Sequence, residues 1–247
     1  MSDKKIKKIV LAYSGGLDTT VILHWLKNTY DADVIAFTAD IGQDHDPELV
    51  KSRANSIGAS KIIIEDLKEE FTRDYIFQML KANTLYEGEY LLGTSIARPL
   101  ISKRLVEIAE EEGADAIAHG ATGKGNDQIR FEIGSYSLNP DIEVIAPWRT
   151  WDYSSRADLV EYCKQHQIEI ESSPDEPLYS TDENLLHTSY EGEILEDPSV
   201  EAPEEIWQRT SSLENAPDKA EKISISFEEG LAISINKEQL SSSEILS

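Results

Sequence analysis

Residues 10–20 read VLAYSGGLDTT, an apolar strand that empties into a hydroxyl, two glycines and a carboxylate just where a helix begins. This pattern constrains the chain more than any other. Gly15 and Gly16 lack a β-carbon, so the backbone can adopt positive φ, approach a ligand closely and turn its N–H groups toward an anion. A helix from about Leu17 to Lys27 adds its positive N-terminal dipole at the same point, and Ser14, Thr19 and Thr20 are expected to supply hydroxyl donors. A Walker loop requires G-x-x-x-x-G-K-[ST], and no lysine stands here. The segment therefore reads either as a cradle for a nucleotide's phosphates without the P-loop lysine or as a plain glycine turn.

The rest of the chain alternates apolar runs with helical patterns. Strands are expected over 9–13, 33–41, 61–67, 114–120 and 144–148. Between them the spacing predicts helices from Leu17, over Pro47 to Ile57, through Met79, from about Ala97 to Glu112, and around Asp158 to His166. Such βαβα order predicts an α/β fold with a doubly wound, mostly parallel sheet. Ligands of such sheets bind beyond the carboxyl ends of the strands, which singles out Ser14–Asp18, Ala39–Gln43, Gly120–Asp127 and Pro147–Arg149. Near the end, residues 202–222 look loop-like. ISISFEEGLAISIN (223–236) alternates with period two about an EEG turn, a β-hairpin that begins something new and must lean on another element.

Composition narrows the function classes. Forty-seven acids against 23 bases give a formal net charge of −24, which disfavours a nucleic-acid partner. Cys163 is the one cysteine, so no intrachain disulfide can form; a packing role and a reducing compartment are expected for it. No apolar run approaches the ~18 residues of a membrane span, and a cytoplasmic location is expected.

A second constellation follows the strand expected at 114–120. HGATGKGNDQIRFE (119–132) fails the Walker pattern, because Gly125 follows Lys124 and Ala118 stands five residues before Gly123. Its residue types suit a zwitterion: Asp127 or Asn126 for an ammonium, Thr122, Arg130 and backbone N–H groups for carboxylates. His119 reads as a satisfied histidine at a strand end. DIGQDHDPE lacks the EF-hand glycine, and the histidines show no zinc spacing, so no metal ligands are assigned.

Taken together, AYSGGLDTT (12–20), LLGTSIARP (91–99), HGATGKGNDQIRFE (119–132) and YSTDENLLHTSYEG (179–192) resemble the argininosuccinate synthase family, ATP-dependent ligases with an N-type ATP pyrophosphatase domain (adenine nucleotide alpha-hydrolase-like). The likeness runs from about residue 8 to about residue 236, with Thr20 where the family usually has serine. It implies ligation of citrulline and aspartate with release of AMP and pyrophosphate through a citrullyl-adenylate. ATP would be held by Ala12, Tyr13, Ser14, Gly15, Gly16, Leu17, Asp18, Thr19, Thr20, Ala39 and Gly120. Citrulline would be held by Tyr90, Ser95, Asn126, Arg130, Ser180 and Ser189, and aspartate by Thr122, Asn126 and Asp127. Mg2+ would accompany the polyphosphate, with Asp18 the carboxylate best placed to help, and no side-chain base is named. The resemblance also implies a nucleotide-binding domain over 1–170 and, over 171–247, the beginning of a synthetase and oligomerisation domain. Family members are homotetramers that continue past Ser247, so the citrulline pocket is expected to be incomplete within these 247 residues. Two other readings stand beside this one: an ATP pyrophosphatase adenylating another acceptor such as tRNA, and an ATP-binding module inactive by itself.

Overall fold

The computed structural model of the chain describes residues 5–123, 125–169 and 179–247. β1 (Lys8–Ala12) leads to α1 (Leu17–Tyr30), β2 (Asp33–Asp40) to α2 (Pro47–Ile57), and β3 (Lys61–Asp66) to α3 (Lys68–Glu70). A π-helical turn (Phe71–Ile76) joins α3 to α4 (Phe77–Lys81). The long α5 (Gly93–Glu112) precedes β4 (Ala116–Ala118), α6 (Asn126–Leu138), β5 (Glu143–Ile145), a 3-10 turn (Pro147–Arg149) and α7 (Arg156–Gln165). Then come β6 (Ser180–Glu183), β7 (Thr188–Glu191), β8 (Ile225–Glu228), β9 (Leu231–Ile235), β10 (Glu238–Gln239) and α8 (Ser242–Leu246). The chain gathers into two compact units, residues 1–67 with 94–171 and residues 68–93 with 172–247. The boundary expected near residue 170 lies outside the described residues.

The first unit is the doubly wound α/β fold that the alternation predicts: five parallel strands in the order β3-β2-β1-β4-β5. Ile9 pairs with Val34 on one side and with Ala116 on the other, which puts β1 at the centre. Helices cover both faces of such a sheet, so its central strands are unbroken apolar runs, and Ile9, Val10 and Leu11 are fully buried with Ile22, Leu23 and Leu26 of α1. Cys163 packs among Val21, Leu159, Tyr162 and Ile168, and burial raises its thiol pKa.

Local chemistry sets the element ends. The Asp46 carboxylate accepts the Glu48 and Leu49 N–H groups at 2.9 and 3.3 Å and Pro47 opens the first turn, while Gly58 closes α2 with φ +91°. Ser155 and Asp158 cap α7 reciprocally. Expected boundaries are corrected at several ends, the strand over 114–120 being confined to Ala116–Ala118. The strand over 144–148 stops at Ile145, because Pro147 has no N–H for the ladder and starts a 3-10 turn. The helix expected from Ala97 begins at Gly93 and carries Pro99 inside it; the proline removes only the bond to the Ser95 carbonyl.

In the second unit, β6 and β7 form an antiparallel pair and β10-β9-β8 a small antiparallel sheet. The EEG turn is realised with Glu229 and Gly230 both at positive φ, 51° and 80°, as a two-residue hairpin turn requires. The hairpin gains a third strand in β10 and a short helix in α8, whose Ser242 and Ser243 N–H groups donate to the Glu69 carboxylate at 3.3 and 2.9 Å. Residues 202–222 contain one 3-10 turn (Glu204–Ile206) and are otherwise irregular and mostly exposed. Among the described residues no helix is long and apolar enough to cross a membrane.

Candidate functional site

In the order β3-β2-β1-β4-β5 the winding reverses between β1 and β4, and the crevice outside their carboxyl ends is where such sheets take ligands. Both loops singled out in the sequence open there. The 13–16 loop follows β1 and leads into α1; the 119–125 loop follows β4 and leads into α6. A β-carbon at Gly120 would lie 3.2 Å from the Thr19 methyl group, so the two segments are in van der Waals contact. The turn after β5 joins them, since a β-carbon at Gly123 would lie 3.2 Å from the Trp148 carbonyl.

The helices at this crevice differ from their neighbours in one respect. α2 and α7 are capped by Asp46 and Ser155, whereas α1 and α6 start from Gly16 and Gly125 with no side-chain cap. The first N–H groups of a helix have no partner within it, and without a cap they are left to water or to an anion. Two such ends bring two positive helix-dipole termini to one crevice in a chain of net charge −24.

The two glycines of the first loop do different work. Gly15 is buried at φ +83°, a β-carbon there would meet Val50 at 3.2 Å, and its carbonyl accepts from the Arg53 guanidinium of α2. Gly16 is exposed, and a β-carbon there would meet only the Ser14 hydroxyl, at 3.5 Å. Of the three expected hydroxyl donors, Ser14 alone is exposed. The Thr19 hydroxyl donates to the Gly16 carbonyl at 3.3 Å and faces the Ser14 hydroxyl at 3.1 Å. Thr20, by contrast, is fully buried with its hydroxyl 3.3 Å from that of Tyr13, so neither side chain is an open donor. Tyr13 is tied further into the core, its carbonyl accepting from the Thr38 hydroxyl at 2.6 Å. The Leu17 side chain packs into the Cys163 cluster, and the Ala39 carbonyl accepts from the Gln43 amide at 2.8 Å. Burial raises the Asp18 carboxyl pKa, an effect that Arg156 opposes.

At the second loop, Thr122 and Asn126 are exposed, and Lys124 lies outside the described residues. Asp127, expected to await an ammonium, is bracketed by Arg98 of α5 at 2.8 Å and by Arg130 at 2.6 Å. The expectation is corrected to that extent: Asp127 and Arg130 form one charge-assisted cluster with Arg98, which sequence reading missed. His119 is likewise only half satisfied. Its Nδ1 accepts the Ala121 N–H at 3.2 Å and its ring stacks on Phe131 with centroids 4.8 Å apart, but Nε2 is buried with no partner among the described residues. Burial pushes its pKa down to about 4.

The remaining residues of the candidate set are Ser95, which lies in α5 of the first unit, and Tyr90, Ser180 and Ser189 of the second unit. In the β6–β7 register Ser180 faces Glu191 and Asp182 faces Ser189, so both serines share one face of the hairpin. Tyr90 stands edge-on to His187, with ring centroids 5.1 Å apart.

Residues 8–169 match the family model of the Arginosuccinate synthase N-terminal HUP domain, and residues 179–247 that of the Arginosuccinate synthase C-terminal domain. The chain belongs to the argininosuccinate synthase family. It is 59% identical to the argininosuccinate synthase of Bartonella tribocorum over 244 residues, 98% of this chain and 59% of that protein. It is 60% identical to that of Dinoroseobacter shibae over 241 residues, 97% and 59% of the two chains, and 61% identical to that of Helicobacter hepaticus over 238 residues, 96% and 59%. The chain thus spans 59% of the length of these argininosuccinate synthases. Among solved structures it is similar, at TM-score 0.41 and 16% identity over 66% of this chain and 89% of the other, to a predicted subunit of tRNA methyltransferase from Methanocaldococcus jannaschii, a likeness too loose to bear on function.

Proposed function

We propose that the chain serves the ATP-dependent ligation of L-citrulline and L-aspartate to argininosuccinate, a C–N bond-forming step of arginine biosynthesis that releases AMP and pyrophosphate. Membership of the family supports this reading. The observation that carries it is the meeting of two uncapped, glycine-led helix ends, those of α1 and α6, at the β1/β4 switch point. Such a crevice suits a polyphosphate on one side and a carboxylate substrate on the other.

In this reading the ATP phosphates lie over Ser14, Gly15 and Gly16 and the first turn of α1, with Ala12, Ala39 and Gly120 lining the nucleotide. Arg130 and Asn126, with Tyr90, Ser95, Ser180 and Ser189, take citrulline; Thr122, Asn126 and Asp127 take aspartate. The citrulline ureido oxygen attacks the α-phosphorus and pyrophosphate departs, giving a citrullyl-adenylate. The aspartate amine then attacks the ureido carbon, loses a proton, and AMP leaves with the ureido oxygen. The α1 amides oppose the charge that grows on the departing pyrophosphate, and both steps gain from holding the reactants in line.

Among the described residues no group of three or more His, Cys, Asp or Glu side chains is arranged to hold a metal. Mg2+ would arrive on the polyphosphate, held by phosphate oxygens and water with Asp18 the carboxylate best placed to help, and would offset phosphate charge. A cytoplasmic location and a homotetramer belong to the same reading, as do a nucleotide-binding domain over 1–170 and a synthetase and oligomerisation domain beginning at 171.

Citrulline labelled with 18O in the ureido group tests the intermediate. The label is expected in AMP, one atom per turnover. Unlabelled AMP formed alongside argininosuccinate would overturn the adenylate route.

A further inference from the structure

The turn between β6 and β7 is braced from both sides. Asn184, fully buried, accepts the Leu186 and His187 N–H groups through Oδ1 at 3.0 and 3.3 Å. The Arg209 guanidinium donates to the carbonyls of Asn184 and Leu185, at 2.5 and 3.2 Å, and to the Thr188 hydroxyl at 3.0 Å. A turn held this way fixes the ring it carries. His187 Nε2 accepts the Gly93 N–H at 2.7 Å, and the same ring stands edge-on to Tyr90 at 5.1 Å with an interplanar angle of 63°.

Gly93 sits directly on this turn. A β-carbon there would come within 2.7 Å of both the Asn184 Oδ1 and the His187 ring. An imidazole that accepts at Nε2 is neutral and carries its proton on Nδ1. One side chain therefore holds two points of the 90–93 segment, its backbone amide and its aromatic ring. Asp182 and Arg209 are the charged groups facing it, and burial lowers its pKa.

We propose that His187 is a positioning residue for the ligand taken at Tyr90: its Nε2 lone pair fixes the Gly93 amide and its ring fixes the Tyr90 phenol. Naming that ligand as citrulline rests on the functional reading above; the latch itself does not. Protonation at Nε2 removes the acceptor and releases Gly93.

Nitrogen-15 NMR of the chain, titrated through the histidine range, reads the latch without turnover. The Nδ1–H tautomer is expected, with the Gly93 amide resonance following the His187 titration at a midpoint below 6.5. An Nε2–H tautomer, or a Gly93 amide indifferent to that titration, would overturn the latch. Calorimetry then reads the ligand. His187→Ala is expected to weaken citrulline binding roughly five- to tenfold, His187→Gln to restore it through a carbonyl oxygen near the Nε2 position, and ATP binding to be unchanged in both. Equal citrulline affinity in the alanine variant and the unaltered chain would overturn the positioning role. Absence of citrulline binding by the unaltered chain counts against the functional reading, and the NMR titration still decides the latch.

Discussion

The Gly120 backbone passes so close to Thr19 that a β-carbon would lie 3.2 Å from the threonine methyl group and 3.4 Å from Ile22. Two loops a hundred residues apart in sequence are thereby joined into one crevice at the β1/β4 switch point. Gly120→Val should force them apart. Overpacking at such a contact costs about 1–3 kcal/mol, and ATP affinity should fall with it. Urea denaturation and nucleotide titration of the same variant check both effects.

Gly15 and Gly16 should separate fold from binding. Gly15 combines φ +83° with Val50 at 3.2 Å, so Gly15→Ala should lower stability by about 1–3 kcal/mol. A valine there, branched at the same β-carbon, would fail first on folding. Gly16→Ala has room, and should leave the urea midpoint within ~1 kcal/mol of the parent while weakening ATP binding at the helix end. Equal ATP affinity in Gly16→Ala and the parent would argue against an anion at the α1 N-terminus.

Asp127 cannot act alone. Its carboxylate holds Arg98 and Arg130 at 2.8 and 2.6 Å, so Asp127→Asn frees Arg130 as well as changing the aspartate contact. Steady-state kinetics should show the KM for citrulline and the KM for aspartate rising together, each roughly tenfold, as charge-assisted bonds are lost. The role carried over by resemblance alone predicts a loss that falls more on the aspartate step than on adenylate formation. A change in the aspartate KM alone would mean that the arginine cluster is not shared.

His119 links stability to pH. Burial lowers its pKa to about 4 from an ordinary 6.5, so the folded chain binds its proton later than the unfolded chain does. Its stabilising effect is therefore complete above pH 6.5 and is lost as pH falls toward 4, by up to about 3 kcal/mol. His119→Phe keeps the stacking on Phe131 and removes the titration. Urea midpoints measured across that window should fall less steeply in the variant than in the parent.

Much of the first unit is legible in the sequence because its strands are buried on both faces and its helices carry their own signals. Asp46, Pro47 and Gly58 give α2 its limits to the residue. Proline misleads twice, by shortening β5 at Pro147 and by sitting inside α5 at Pro99, where the helix tolerates it. The glycine loops announce a phosphate site, but not which hydroxyls face it: Ser14 stands exposed in the loop, whereas Thr20 lies in α1 and is buried. Arg53, Arg98 and His187 act across the fold on Gly15, Asp127 and Gly93, and no local spacing encodes such pairings. They are products of topology.

Gly93 gives the sharpest test of the second unit. A β-carbon there meets Asn184 and His187 at 2.7 Å, both on a braced turn that cannot yield cheaply. Gly93→Ala should lower thermal stability by an amount equivalent to about 2 kcal/mol or more, and His187→Ala should recover part of that loss in the double variant. Additive losses would place the collision elsewhere.

Identification of the products formed from ATP, citrulline and aspartate by mass spectrometry tests the crevice's assignment most directly. AMP and pyrophosphate in equal amounts are expected only when citrulline is present, and argininosuccinate only when aspartate is added as well. ADP with phosphate, or AMP released at the same rate without citrulline, would contradict it.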